Sequence, residues 1–196
     1  VAGWIGVVRL PVPVLVVGNQ TVGGTVKTPL VIWMARLLRD AGKSPGLVLR
    51  GYASSATGPR NVTPYGDPQL VGDEAILLAE RSGCPVWVGA NRAEAGRALL
   101  DANPSCDVLI CDDGLQHYQI ARDFEIAVED ERGHGNGRLL PAGPLREPAG
   151  RAVDVTVVNA EREVALPARC GEVLRMTFKV GGLQRIGSDS GPDAGV

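Results

Sequence analysis

Residues 18–28 read GNQTVGGTVKT and follow a short apolar run, Val12 to Val17, that stops at Gly18. A glycine-rich turn leading into a helix aims several backbone N–H groups at one point, and the helix start adds partial positive charge, so the segment can form an anion nest. Gly23, Gly24, Thr25 and Val26 would line that nest, Lys27 would neutralise charge on β- and γ-phosphates, and the Thr28 hydroxyl would ligate Mg²⁺. Two positions depart from the usual GxxxxGK[ST] string: Thr21 stands at the first glycine and Val26 at the glycine before the lysine. A β-branched residue where such a loop favours glycine costs about 1–3 kcal/mol of backbone strain, or opens the loop. The competing reading is an ordinary glycine-rich β-to-α turn with a solvated lysine.

Residues 108–117, VLICDDGLQH, deliver Asp112 and Asp113 from an apolar strand. Adjacent carboxylates at a strand end repel each other unless a cation sits there. In a phosphate-loop protein that cation is Mg²⁺, held by Thr28 and by one of the two aspartates. A turn or helix-cap role is the bland alternative for the pair. His117, four residues on, is placed to orient substrate or phosphate, or is a surface residue. His134, between two glycines, reads as exposed and without a stated role. Asp73, in the string Gly72-Asp73-Glu74, either caps a helix or acts as the carboxylate that takes a proton from an acceptor hydroxyl.

These residues need a scaffold that brings strand ends to one edge. Thr28 to Asp40 has helical spacing through Leu30, Val31, Met34, Leu37 and Leu38, and Gly42 ends it. Apolar runs at 47–49, 85–88, 107–111, 124–128 and 153–158 join the first to make six strands, with helical patterns at 74–81 and 92–100 between them. The βαβα alternation predicts an α/β fold, a phosphate-loop NTPase-like, doubly wound, mainly parallel sheet with helices on both faces. Ligands of such sheets bind at the carboxyl ends of the strands. Gly51 to Gly72 reads as a long polar loop, 133–148 as a structured surface loop, and 181–196 as a disordered tail. The domain reading is 1–160 for the nucleotide-binding unit and 161–196 for linker and tail.

Composition fits one compact domain: 196 residues, 44% apolar, 21% charged, with 26 Gly and 14 Pro suited to many short elements. A net charge of -2 supplies no global field toward nucleic acid. Cys84, Cys106, Cys111 and Cys170 form no CxxC pair and read as reduced thiols of a cytosolic protein. No stretch is long and apolar enough to span a bilayer, and the opening residues lack the order of a signal peptide.

Taken together, the motifs resemble the tetraacyldisaccharide 4'-kinase family of lipid A biosynthesis. The strings that carry the likeness are PVLVVGNQTVGGTVKTP (13–29), VLRGY (48–52), GDEAILLA (72–79), NRAEAG (91–96), DVLICDDGLQHYQIARDFEIAV (107–128) and GNGRLLPAGPLREP (135–148). The resemblance implies ATP-dependent phosphoryl transfer to the 4'-hydroxyl of an acylated disaccharide 1-phosphate, with ATP and Mg²⁺. It makes Lys27 and Thr28 the phosphate and metal residues, Asp112 and Asp113 the acidic pair, His117 a site residue and Asp73 the general base. Arg138 and Arg146 fall in the family's GNGxLLPAGPLRE region, where guanidinium groups suit phosphate, though salt bridges account for them almost as well.

The resemblance also implies a monomer, peripheral to the cytoplasmic face of the inner membrane, that binds a lipid and no nucleic acid. Family members have glycine where this chain has Val26. They continue into a smaller C-terminal domain that closes over the cleft and pairs a histidine with the base; Val173 to Phe178 read as the first connecting residues. No counterpart of their hydrophobic N-terminal helix is evident. The alternatives are a catalytically impaired or non-catalytic nucleotide-binding homologue, and a nucleotide-regulated switch of the partitioning-ATPase type.

Overall fold

The computed structural model describes residues 6–23, 27–51, 58–160, 164 and 171–178. Its strands are β1 (Val14–Gly18), β2 (Pro45–Leu49), β3 (Arg60–Val62), β4 (Val86–Val88), β5 (Val108–Asp112), β6 (Phe124–Asp130), β7 (Val155–Asn159) and β8 (Glu172–Met176). The helices are α1 (Lys27–Asp40), α2 (Pro68–Val71), α3 (Asp73–Ser82) and α4 (Arg92–Ala102). One sheet runs in the order β3-β4-β2-β5-β1-β6-β7-β8, parallel throughout except for the antiparallel pair β3 and β4. This is the α/β, mainly parallel, doubly wound architecture read from the alternation of elements.

The strands bury both faces because successive side chains point to opposite sides. Val17, Leu47, Leu49 and Ile110 face α1 and α3, where Leu30, Val31, Met34, Ala75 and Leu78 meet them. Val14, Val16, Val48, Leu109 and Cys111 face the other way, onto Ala93, Ala95 and Leu99 of α4 and onto Leu10. Asn91 caps α4: its side chain accepts from the backbone N–H groups of Ala93 and Glu94, and its amide donates to the Glu94 carboxylate at 2.9 Å. Gly96, inside α4, is there for close approach, since a Cβ would stand 2.6 Å from Leu10 Cδ1.

Eight strands are present among the described residues where six were expected. The segment read as one loop, 51–72, contains β3 and α2. Three residues, Arg60 to Val62, are too few to show a period by which to see a strand, and β3 forms by pairing with β4. The second unexpected strand, β8, lies in the stretch expected to be linker and tail, yet it pairs with β7 from Glu172 to Met176. Its burial is slight, so its apolar content gives little signal. Cys106 and Cys111 are buried free thiols and Cys84 is a half-buried one; burial pushes Cys111 up to about 12. Cys170 and the expected tail at 181–196 lie outside the described residues.

Candidate active site

The carboxyl ends of β1 and β5 are neighbours in register, Val17 beside Asp112, so the segments that follow them share one edge. Lys27 opens α1 on that edge, and its Nζ donates to Asp113 Oδ1 at 2.9 Å and to Asn19 Oδ1 at 2.9 Å. Asn19 is fully buried and donates through Nδ2 to the carbonyls of Thr21 and Gly23, which ties the glycine loop to the lysine. Gln116 Nε2 donates to the Asn19 carbonyl at 3.1 Å and joins the acidic segment to the same knot. Gly24, Thr25 and Val26, expected in the anion nest, lie outside the described residues.

The two aspartates have different surroundings. Asp113 takes the uncommon φ of +48° and accepts from Lys27 and from Arg146 Nη1, the latter at 3.2 and 3.3 Å. Burial works to raise its pKa, but Lys27 and Arg146 outweigh it and hold the carboxyl below its usual range. Asp112 is buried, and one of its oxygens accepts the Asp113 N–H at 2.8 Å. Burial first, then the Glu74 carboxylate, pushes Asp112 up to about 7, with Lys27 acting against both and Asp113 adding to the rise.

Asp73 is the first residue of α3, and Gly72 with φ +90° holds the cap position before it. The helix-cap alternative therefore falls: the Asp73 carboxylate is exposed, accepting only from the Glu74 N–H at 3.1 Å among the described residues. A cavity of about 130 Å³ is lined by Asp73, Glu74, Asp112, Asp113 and Arg50. Thr28 reaches this cluster too, its hydroxyl donating to Glu74 Oε1 at 2.5 Å. The donor set is oxygen-rich and includes a buried carboxylate, Asp112, whose pKa is raised to about 7 by burial and then by Glu74. That chemistry fits Mg²⁺, which takes one or two carboxylates and keeps several waters.

A second cavity of about 310 Å³ opens beside the first and is lined by Arg50, Arg92, Arg146, Asp113, Gln116 and His117. His117 sits here. Its Nε2 accepts the Arg92 backbone N–H at 3.3 Å at the start of α4, and burial followed by Arg92, Arg122 and Arg50 lowers its pKa. The imidazole is therefore neutral near pH 7, with its other ring nitrogen carrying the proton. Arg138 lines neither cavity and sits in an exposed turn. His134, expected to be exposed, is only 12% so, with Nε2 3.4 Å from Glu129 Oε1.

The family described as tetraacyldisaccharide-1-P 4'-kinase matches residues 1–188. The chain belongs to that family. A tetraacyldisaccharide 4'-kinase of Dechloromonas aromatica is 54% identical over 180 residues, covering 91% of this chain and 54% of the relative. One of Aromatoleum aromaticum is 61% identical over 153 residues, covering 78% and 46%. Among solved structures, the "apo" form of LpxK from Aquifex aeolicus in complex with ATP is similar with a TM-score of 0.76 and 32% identity, over 88% of this chain and 56% of that one. The chain spans about half the length of the curated kinases it matches.

Several residues that join or line the candidate site were missed in the sequence. Glu74 was visible only as part of the GDE string, and Asn19 only as the second residue of the glycine loop. Arg50 and Arg92 stood only within the strings VLRGY and NRAEAG, with no role given to them, because they come from the end of β2 and the start of α4 and meet only in the fold.

Proposed function

We propose that this chain carries the phosphoryl-transfer centre of a tetraacyldisaccharide 4'-kinase, moving the ATP γ-phosphate to the 4'-hydroxyl of an acylated disaccharide 1-phosphate. The observation that carries the reading is the 2.9 Å contact between Lys27 and Asp113, at one sheet edge and beside a cavity that Asp73 lines. Lys27 binds phosphate oxygens and is kept oriented by Asn19 and Asp113. Asp73, exposed and hydrogen-bonded only to its neighbour's N–H among the described residues, takes the proton of the acceptor hydroxyl at a carboxylate oxygen. Thr28, Asp112 and Asp113 are the residues that would hold Mg²⁺, and when bound it neutralises the charge on the phosphates.

The cationic cavity suits the anionic part of the acceptor. Arg50, Arg92 and Arg146 offer guanidinium groups to a phosphate, and the neutral His117 and Gln116 offer hydrogen bonds without a further charge. The acceptor in this reading carries acyl chains and sits in a membrane, so the protein would meet it at a membrane surface. Among the described residues no helix is long and apolar enough to cross a bilayer.

The test is transfer of label from γ-labelled ATP to acylated disaccharide 1-phosphate held in vesicles. Labelled product that vanishes in Asp73→Asn supports the reading. Nucleotide binding without product at high protein concentration would instead assign this chain the non-catalytic role.

A further inference from the structure

In the sheet β1 lies between β5 and β6, so the loop after β1 is approached from two sides. Asp113, just past β5, holds Lys27 from one side. On the other, Arg132 lies two residues beyond the end of β6 at Asp130. Its guanidinium rests against Gly23: a Cβ built there would stand 2.9 Å from Nη1 and 3.0 Å from Nη2. Gly23 also has φ +123°, a conformation that requires glycine at this point of the loop.

Asp130 fixes the guanidinium from behind. Nε donates to both of its carboxylate oxygens at 3.0 Å, and Nη2 donates to Oδ2 at 2.5 Å. The nitrogen nearest the loop, Nη1, has no acceptor among the described residues. The Arg132 side chain is 59% exposed, and exposed ion pairs contribute little to stability. What the pairing does accomplish is orientation: a permanently charged planar fork is held against a glycine with both Nη1 N–H bonds to spare among the described residues. Such a group is matched to phosphate oxygens.

We propose that Arg132 is a ligand of the bound nucleotide's phosphate chain, a second cation set across the glycine loop from Lys27 and held ready by Asp130. The proposal rests on the nucleotide reading above. Lys27 and Arg132 grip the phosphates from opposite sides of β1, and Asp130 is a positioning residue that spares the guanidinium a search among its rotamers. An arginine at the phosphates also counters charge that builds during transfer.

Calorimetric titration of the 196-residue chain with Mg²⁺ and the non-hydrolysable analogue AMP-PNP tests this in wild type, Arg132→Ala, Arg132→Lys, Asp130→Asn and Lys27→Ala. Loss of a charge-assisted hydrogen bond predicts affinity weakened about tenfold to a hundredfold in Arg132→Ala. Arg132→Lys keeps the charge without the fork and should fall between, and Asp130→Asn should show the smallest loss. Because Arg132 is exposed, circular dichroism should show each Arg132 variant folded. Wild-type affinity in Arg132→Ala, alongside lost affinity in Lys27→Ala, overturns the role of Arg132 alone. Wild-type affinity in both overturns the nucleotide reading itself.

Discussion

The two cavities at the sheet edge share Arg50 and Asp113 yet are opposite in charge. The smaller one gathers Asp73, Glu74, Asp112 and Asp113. The larger gathers Arg50, Arg92 and Arg146 around a neutral His117. Carboxylates crowd together in a folded chain only where a cation or a proton relieves them, and arginines only where an anion does. On the proposed function the acidic cavity takes the metal ion and the hydroxyl that loses its proton, and the cationic one takes the phosphate of the molecule that carries the hydroxyl. Asp113 divides them, and Lys27 and Arg146 neutralise it from either side.

The largest effect should come from the acidic side. Asp73→Asn keeps the size of the side chain and removes the proton acceptor, so turnover should fall about 10²–10⁴-fold. Its KM for ATP should stay near the wild-type value, because the proposed role of Asp73 is toward the acceptor and not the nucleotide. A rise in KM for ATP with turnover intact would move Asp73 out of the chemistry.

On the cationic side, Arg50→Ala should raise KM for the anionic acceptor about tenfold, and the gap should narrow as salt screens the charge. Thermal stability should change little, since Arg50 is exposed. Arg146→Ala should cost more than Arg50→Ala, because it empties a place in the cationic cavity and strips Asp113 of a partner in the acidic one. Equal effects from the two substitutions would mean that Asp113 does not join the cavities as described.

How much of this was legible depended on whether a feature was local. The run Val14–Gly18, the period of α1 and the apolar strand ending in two aspartates each carry their meaning within a few residues, so the doubly wound sheet and its phosphate-loop edge could be read directly. β3 and β8 could not, because each owes its strand conformation to one neighbour, β3 being three residues long and β8 burying little. Of the cationic cavity's arginines only Arg146 was legible, because its partners lie far off in the chain. Arg50, Arg92 and Arg146 are 42 to 96 positions apart in the chain and are brought together by three parallel crossovers. His134 misled because flanking glycines suggest exposure, whereas the turn folds it onto Glu129.

The smallest effect separates the acidic cavity from another carboxylate of similar pKa. Asp112 is held at about 7 by burial and by Glu74, and Glu129 is held at about 7 by burial and by Asp130. Both values are raised above those of the unfolded chain, so between about pH 4 and 7 the native state binds protons that the unfolded state has released, and stability falls as pH rises. In metal-free protein each group contributes a slope of up to about 1.4 kcal/mol per pH unit, and either Asp112→Asn or Glu129→Gln should remove one such slope. Mg²⁺ favours the ionised form only of the carboxylate it meets. It should therefore flatten the pH dependence of Tm in wild type and in Glu129→Gln, and leave Asp112→Asn unchanged. If Mg²⁺ flattens the curve of Asp112→Asn as well, the metal is bound without Asp112, and the charge contrast between the two cavities does not arise from a metal site.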